Sequence, residues 1–123
     1  MGVGVIAFRL LRPSWEAIGA TGRIGAQTLR KLGGVSQNYF PTSQGARYVD
    51  QLVGDIAHES KVGYQTLTDT ISRQIGKGAQ LLASGRVDAV SWDFFRSPVT
   101  GLRGPSAMLR SALEEKGISV KLW

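Results

Sequence analysis

The sequence holds no cysteine and a single histidine, His58. The first absence excludes a disulfide framework and any thiolate metal centre. It leaves the compartment open, because a domain that crosses oxidising space is also served by having none. The second excludes a histidine-rich zinc site. Any metal would therefore be held by oxygen ligands, which favours Mg²⁺ or Mn²⁺, with Zn²⁺ as a further alternative. Acidic residues are also scarce: 9 Asp and Glu stand against 15 Lys and Arg, a net charge of +6 and a pI near 10.2. That balance suits a phosphate-rich partner and, equally, an ordinary basic domain. Long apolar runs are missing too. The most apolar stretch, "MGVGVIAFRLLRPSW", is interrupted by Arg9 and Arg12, lacks a small-residue cleavage site and is too short to span a bilayer. It reads as a packed first segment or as the remnant of a cut from a longer parent chain.

The 123 residues amount to one domain, and 42% hydrophobic with 20% charged residues is enough for a real core. A single domain over 1–123 is expected, with 1–20 as a variable N-terminal segment. Sixteen glycines punctuate the chain. "TGRIGAQTLRKLGG" predicts a helix with Thr21 as its cap and Gly33-Gly34 as its stop. "VSQNYFPTSQG" reads as a loop, from Asn38, Pro41 and Gly45. "ARYVDQLV" and "DIAHESKVGY" predict strands. "TLTDTISRQIGKGAQLLASG" predicts a helix whose stripe is Leu67, Ile71, Ile75, Ala79 and Leu82, ended by Gly85. "RVDAVSWDFF" predicts a strand, "RSPVTGLRG" a loop, and "PSAMLRSALEEKG" a helix started by Pro105 and stopped by Gly117. "ISVKLW" predicts a final strand. The order implies an α/β fold with hairpin and crossover connections in one sheet.

Two of the strands carry the chemistry. Gly54-Asp55 makes a good two-residue hairpin turn. Counting outward from it, residue 53 faces 56 and Asp50 faces Glu59, which puts the two carboxylates on one face. Lys61, two beyond Glu59, shares that face. Opposed like charges destabilise a sheet unless something positive sits between them. A divalent cation suits: two carboxylates, waters and a phosphate oxygen complete a magnesium-type shell. Lys61 would then orient or deprotonate the bound water, or neutralise charge developing on phosphorus. The alternative is a surface network of Asp50, Lys61 and Glu59 with no metal, of the kind worth roughly 0–1 kcal/mol. A shift of one residue in register would move Asp50 to the other face.

The following helix places Gln74 near its sheet-facing stripe, where its amide needs partners. A metal-bound water, a substrate phosphate or a backbone carbonyl would serve. Arg73 and Lys77 flank it and can meet phosphates or stand in solvent. Loop residues Arg96 and Arg103, and Arg47 and Ser43 before the first active strand, are further phosphate-binding candidates. His58 points away from the Glu59 face and is expected in the core or in a hydrogen bond, with general base as the alternative. Trp92, Phe94 and Phe95 are expected in the core, with stacking on bases as the alternative. The Gly-rich "GRIGAQ" lacks the Lys-Ser/Thr of a phosphate loop.

Asp50, Glu59-x-Lys61 on the next strand and a helix carrying Gln74 resemble the PD-(D/E)XK nuclease superfamily, the restriction-endonuclease-like fold. The blocks "YFPTSQGARYVDQLVGDIAHESKVGY", "GRVDAVSWDFFRSPVTGLRGPS" and "LEEKGISVKLW" resemble toxin domains at the C-termini of bacterial Rhs-repeat and contact-dependent inhibition proteins. The resemblance spans residues 22–122. It implies a restriction-endonuclease-like core, with a mixed central sheet flanked by helices. It also implies a Mg²⁺-dependent endonuclease released from a large exported or cell-surface protein into the cytoplasm of a competing cell. A cognate immunity protein would protect the producer, and no membrane would be a stable partner. By the resemblance, Asp50 and Glu59 hold the metal, Lys61 is the catalytic lysine and Gln74 supports it. DNA is the favoured substrate, with tRNA or another RNA as the first alternative. A non-catalytic nucleic-acid-binding or protein-interaction domain is the second. One departure stands out: relatives often carry a glutamate in the first helix, where this chain has Gln27, which adds no charge.

Overall fold

The computed structural model describes residues 23–123. The apolar start and the expected Thr21 cap lie outside the described residues. Helix α1 covers residues 23–30, and the chain turns out of it through Gly33 and Gly34, both at positive φ. Strands β1 (Val35–Thr42), β2 (Gly45–Val53) and β3 (Ile56–Val62) follow as an antiparallel meander. After the short β4 (Tyr64–Gln65) come helix α2 (Asp69–Ala83) and strand β5 (Ala89–Phe95). The two-residue β6 (Gly104–Pro105), helix α3 (Ala107–Glu115) and β7 (Ser119–Leu122) complete the chain. The main sheet has the order β1-β2-β3-β5-β7 and is mixed, since β3, β5 and β7 run parallel; β4 and β6 form a separate pair. The described residues are thus α/β, one small domain with three helices and a mixed five-stranded sheet.

The core forms where the strands lose their polar alternation. β5 reads AVSWDFF, and Trp92 and Phe94 are wholly buried with Val90 on the face beneath α2. Ile71, Ile75, Gly78 and Leu81 of α2 and Leu109 and Leu113 of α3 complete that core. Burying a Leu or Phe side chain contributes about 1.5–3 kcal/mol, so this cluster dominates stability. The other face of the sheet receives α1 at Gly25. A Cβ there would collide with Ser60 Oγ and press on Phe95 and Val62, so a larger residue would force these side chains to move.

Four expectations need correction. Residues 35–42 form strand β1, not a loop. β1 is the sheet edge, with only its inner side paired, and an edge strand tolerates Pro41 and exposed polar groups. Leu67 precedes α2 and is exposed, because Thr68 takes the N-cap and its hydroxyl accepts the Ile71 N–H. The buried stripe of α2 accordingly uses Gly78 and Leu81, not Ala79 and Leu82. Pro105 does not begin α3. It pairs with Gln65, and Ser106 caps the helix by accepting the Leu109 N–H.

Candidate functional site

The β2–β3 hairpin turns at Gly54-Asp55 in the expected register, pairing Val53 with Ile56, Leu52 with Ala57 and Gln51 with His58. There the ladder stops, one position short of Asp50 and Glu59. The Ser60 N–H, which would continue it, donates instead to Asp50 Oδ2 at 2.7 Å. Strand β2 also changes face at this point. Gln51, the register partner of His58, donates to the Gly33 carbonyl at 2.6 Å, yet Val49 packs in the core with Ala57 and Val90 and Arg47 reaches Glu59. Residues two apart normally share a face, so the alternation breaks at Asp50. Gln37, opposite Asp50 on β1, is held at φ 51° and its side chain donates to Asp50 Oδ1 at 3.3 Å. Asp50 therefore stands opposite Glu59 as counted, but its carboxylate is drawn into the seam between the strands, not laid flat on the shared face.

Glu59 is buried and meets two cations. Arg47 Nη2 donates to Oε1 at 2.6 Å, and Lys61 Nζ lies 3.2 Å from Oε2. Lys61 also donates to Gln74 Oε1 at 2.6 Å and sits 5.0 Å from the centre of the Trp92 ring. The strand pairing explains the ring: Glu59 is the register partner of Trp92 in β5. Gln74 Oε1 thus accepts from the lysine, a partner the sequence did not point to. Burial, and then the neighbouring charge of Asp50, push the Glu59 carboxyl up to about 7, against the pull of Arg47 and Lys61. A buried carboxylate so strongly shifted, in contact with a lysine, marks a site where protonation can change near neutral pH.

The other candidates divide. Arg47 is 9% exposed and spends its guanidinium on Glu59, which corrects its expected role as a ready phosphate contact. Arg103 donates to the main-chain oxygen of Trp123 and Arg96 to that of Gly101 at 2.5 Å, so each braces a loop. Lys77 donates to the Ala46 carbonyl at 3.0 Å beside the β1–β2 turn, and Ser43 in that turn is held by Gln80 of α2. Arg73 is exposed, with a long 3.4 Å contact to Thr70. Gln27 is exposed on α1. Trp92, Phe94 and Phe95 are core residues, as expected.

A second buried acid, absent from the sequence reading, lies on the opposite face. Asp93 is wholly buried. It takes His58 Nδ1 at 2.7 Å, the Ser91 hydroxyl at 3.2 Å and the Trp123 indole N–H at 3.1 Å. His58 is thus hydrogen-bonded, on the face expected for it. The signal for Arg47 was present in the sequence: Arg47 and Val49 alternate on β2 at core spacing. No comparable signal marked Asp93 as buried, because its three donors come from three different strands or ends.

Among the described residues no three His, Asp or Glu side chains gather closely enough to hold an ion by themselves. The pair expected to hold a metal, Asp50 and Glu59, would supply two carboxylates to a hard divalent cation. Both offer carboxylate oxygens, the donor type such an ion takes; Glu59 is hard to ionise chiefly because it is buried, and secondarily because Asp50 lies near. Comparison of the chain with family models, curated proteins and solved structures finds no match in any of the three.

Proposed function

We propose that this domain is a metal-dependent nuclease that cleaves phosphodiester bonds of DNA and acts as an interbacterial toxin. The observation that carries the reading is the shared contact of Lys61. One ammonium bridges Glu59 on β3 and Gln74 on α2, next to the point where β2 and β3 separate at Asp50. At that point stand an acid from each strand and an ammonium held by two partners. In the proposed restriction-endonuclease-like arrangement, Asp50 and Glu59 would hold Mg²⁺, with Mn²⁺ or Zn²⁺ as substitutes. The bound ion would polarise the phosphodiester and lower the pKa of its water.

The chain's own residues supply the rest. Gln74 and the face of Trp92 hold the Lys61 ammonium at one place, so it costs little to position during reaction. From there Lys61 orients the attacking water or meets the charge that grows on the phosphoryl oxygens. The net charge of +6 and the exposed Arg73 attract the polyanion. Delivery from a larger exported protein into a target cytoplasm, and neutralisation by an immunity protein, belong to the same proposal. Among the described residues no helix is long and apolar enough to cross a membrane.

An RNA substrate is the second reading. Tyr39 and Tyr48 are both more than half exposed, with ring centres 5.3 Å apart on the outer hairpin. Exposed rings of this kind suit unstacked bases of single strands and loops. The test is cleavage of supercoiled plasmid and total tRNA side by side, with Mg²⁺ or EDTA, using Glu59→Gln and Lys61→Ala as controls. Metal-dependent plasmid loss, absent in both variants, supports the DNase. Loss of tRNA alone keeps the site and changes the substrate. No cleavage of either with Mg²⁺ or Mn²⁺ refutes the enzyme reading and leaves a binding domain.

A further inference from the structure

Both oxygens of Glu59 already carry a cation, so a divalent ion at this acid competes with their positive charge. The two cations are not held alike. Lys61 has a second anchor at Gln74 Oε1, 2.6 Å away, and a third in the Trp92 ring. The Arg47 side chain has a single hydrogen-bond partner among the described residues, Glu59 Oε1. A guanidinium carries five donors, and one is used among the described residues. Arg47 is therefore the cation with less to lose by moving, and its contact is the one made to Oε1.

We infer that Arg47 is an exchangeable counter-ion of the metal site: it holds Glu59 Oε1 until a divalent cation takes that oxygen, and is then released to a phosphate of the substrate. The inference rests on the metal-nuclease reading and adds to it a coupling between metal and nucleic acid. A released guanidinium matches a phosphate bidentately, which Lys61 as a point charge cannot do. Uptake of the cation thus supplies the site with a positive group when the polyanion needs it, and by linkage the nucleic acid favours uptake of the cation in return. The phosphate-binding role expected of Arg47 returns as a conditional one.

The test is direct Mn²⁺ binding at pH 8, read by the electron paramagnetic resonance signal of free Mn²⁺, without nucleic acid and without turnover. Wild type, Arg47→Met, Arg47→Lys and Glu59→Gln are compared, each first checked for a cooperative thermal transition. Arg47→Met keeps an apolar stem in the cavity and removes the competitor, so Mn²⁺ should bind about tenfold more tightly, the equivalent of one charge-assisted hydrogen bond. Arg47→Lys should fall between this variant and wild type, and it carries the test alone if Arg47→Met does not fold. Glu59→Gln should abolish binding. If wild type binds and both Arg47 variants bind equally well or more weakly, the exchange is refuted while the metal site stands. If neither wild type nor the Arg47 variants bind Mn²⁺, the metal reading fails and the exchange fails with it.

Discussion

Removing the charge of Glu59 should change how stability depends on pH, in a direction the structure dictates. The Glu59 carboxyl is buried, and its folded value is raised from 4.5 to about 7. A carboxyl raised on folding binds its proton more tightly in the folded state than in the unfolded one. Its stabilising contribution is therefore complete below about 4.5 and is lost as pH rises through about 7. Each pH unit of that window is worth 1.36 kcal/mol, so the whole loss is on the order of 3 kcal/mol. Glu59→Gln is nearly isosteric with the protonated acid and cannot ionise. At pH 4.5 the variant should match wild type closely. At pH 8.5 wild type should have lost on the order of 3 kcal/mol relative to the variant. Urea denaturation of both proteins at the two pH values measures this, since every other titrating group is common to them and cancels in the difference. Equal pH dependence in the two proteins would refute the burial argument. A steeper fall in the variant would mean that Arg47 and Lys61 need the negative charge more than burial opposes it.

Three further outcomes follow from the same geometry. Lys61→Met should reduce metal-dependent cleavage about 10²–10⁴-fold, the range of a positioned proton-transfer group, with the thermal midpoint measured alongside to exclude unfolding. Asp93→Leu should destabilise the domain by about 1–3 kcal/mol in denaturant titration, because His58, Ser91 and Trp123 each lose an acceptor inside the fold. An unchanged midpoint would show that the buried acid contributes nothing net. Thr68→Ala should cost about 1 kcal/mol by removing the N-cap of α2, with Thr68→Asn restoring most of it.

Much of the site was legible before any coordinates. A two-residue Gly-Asp turn sets the register of its hairpin, so the pairs from Val53–Ile56 to Gln51–His58 followed by counting, while the next pair counted, Asp50 with Glu59, lies beyond the end of the ladder. Gln74 was legible as a sheet-facing helix amide, but its partner was not. Which side chain meets it depends on how far α2 slides along the sheet, and that is settled by packing of Ile71, Ile75 and Leu81. The strand at residues 35–42 was misread because its asparagine and proline are turn signals, whereas an edge position makes both harmless.

The sequence by itself determined the α/β class, the core strand AVSWDFF, the glycine stops and the approach of two acids and a lysine, because these depend on local period and turn chemistry. Only the tertiary structure decided three things: that Arg47 turns inward to Glu59, that β2 breaks its alternation at Asp50, and that Asp93 is buried against the C-terminal tryptophan. Each depends on which distant groups share a dry space. In that space an unpaired charge is costly, so the chain brings partners from separate strands to meet it.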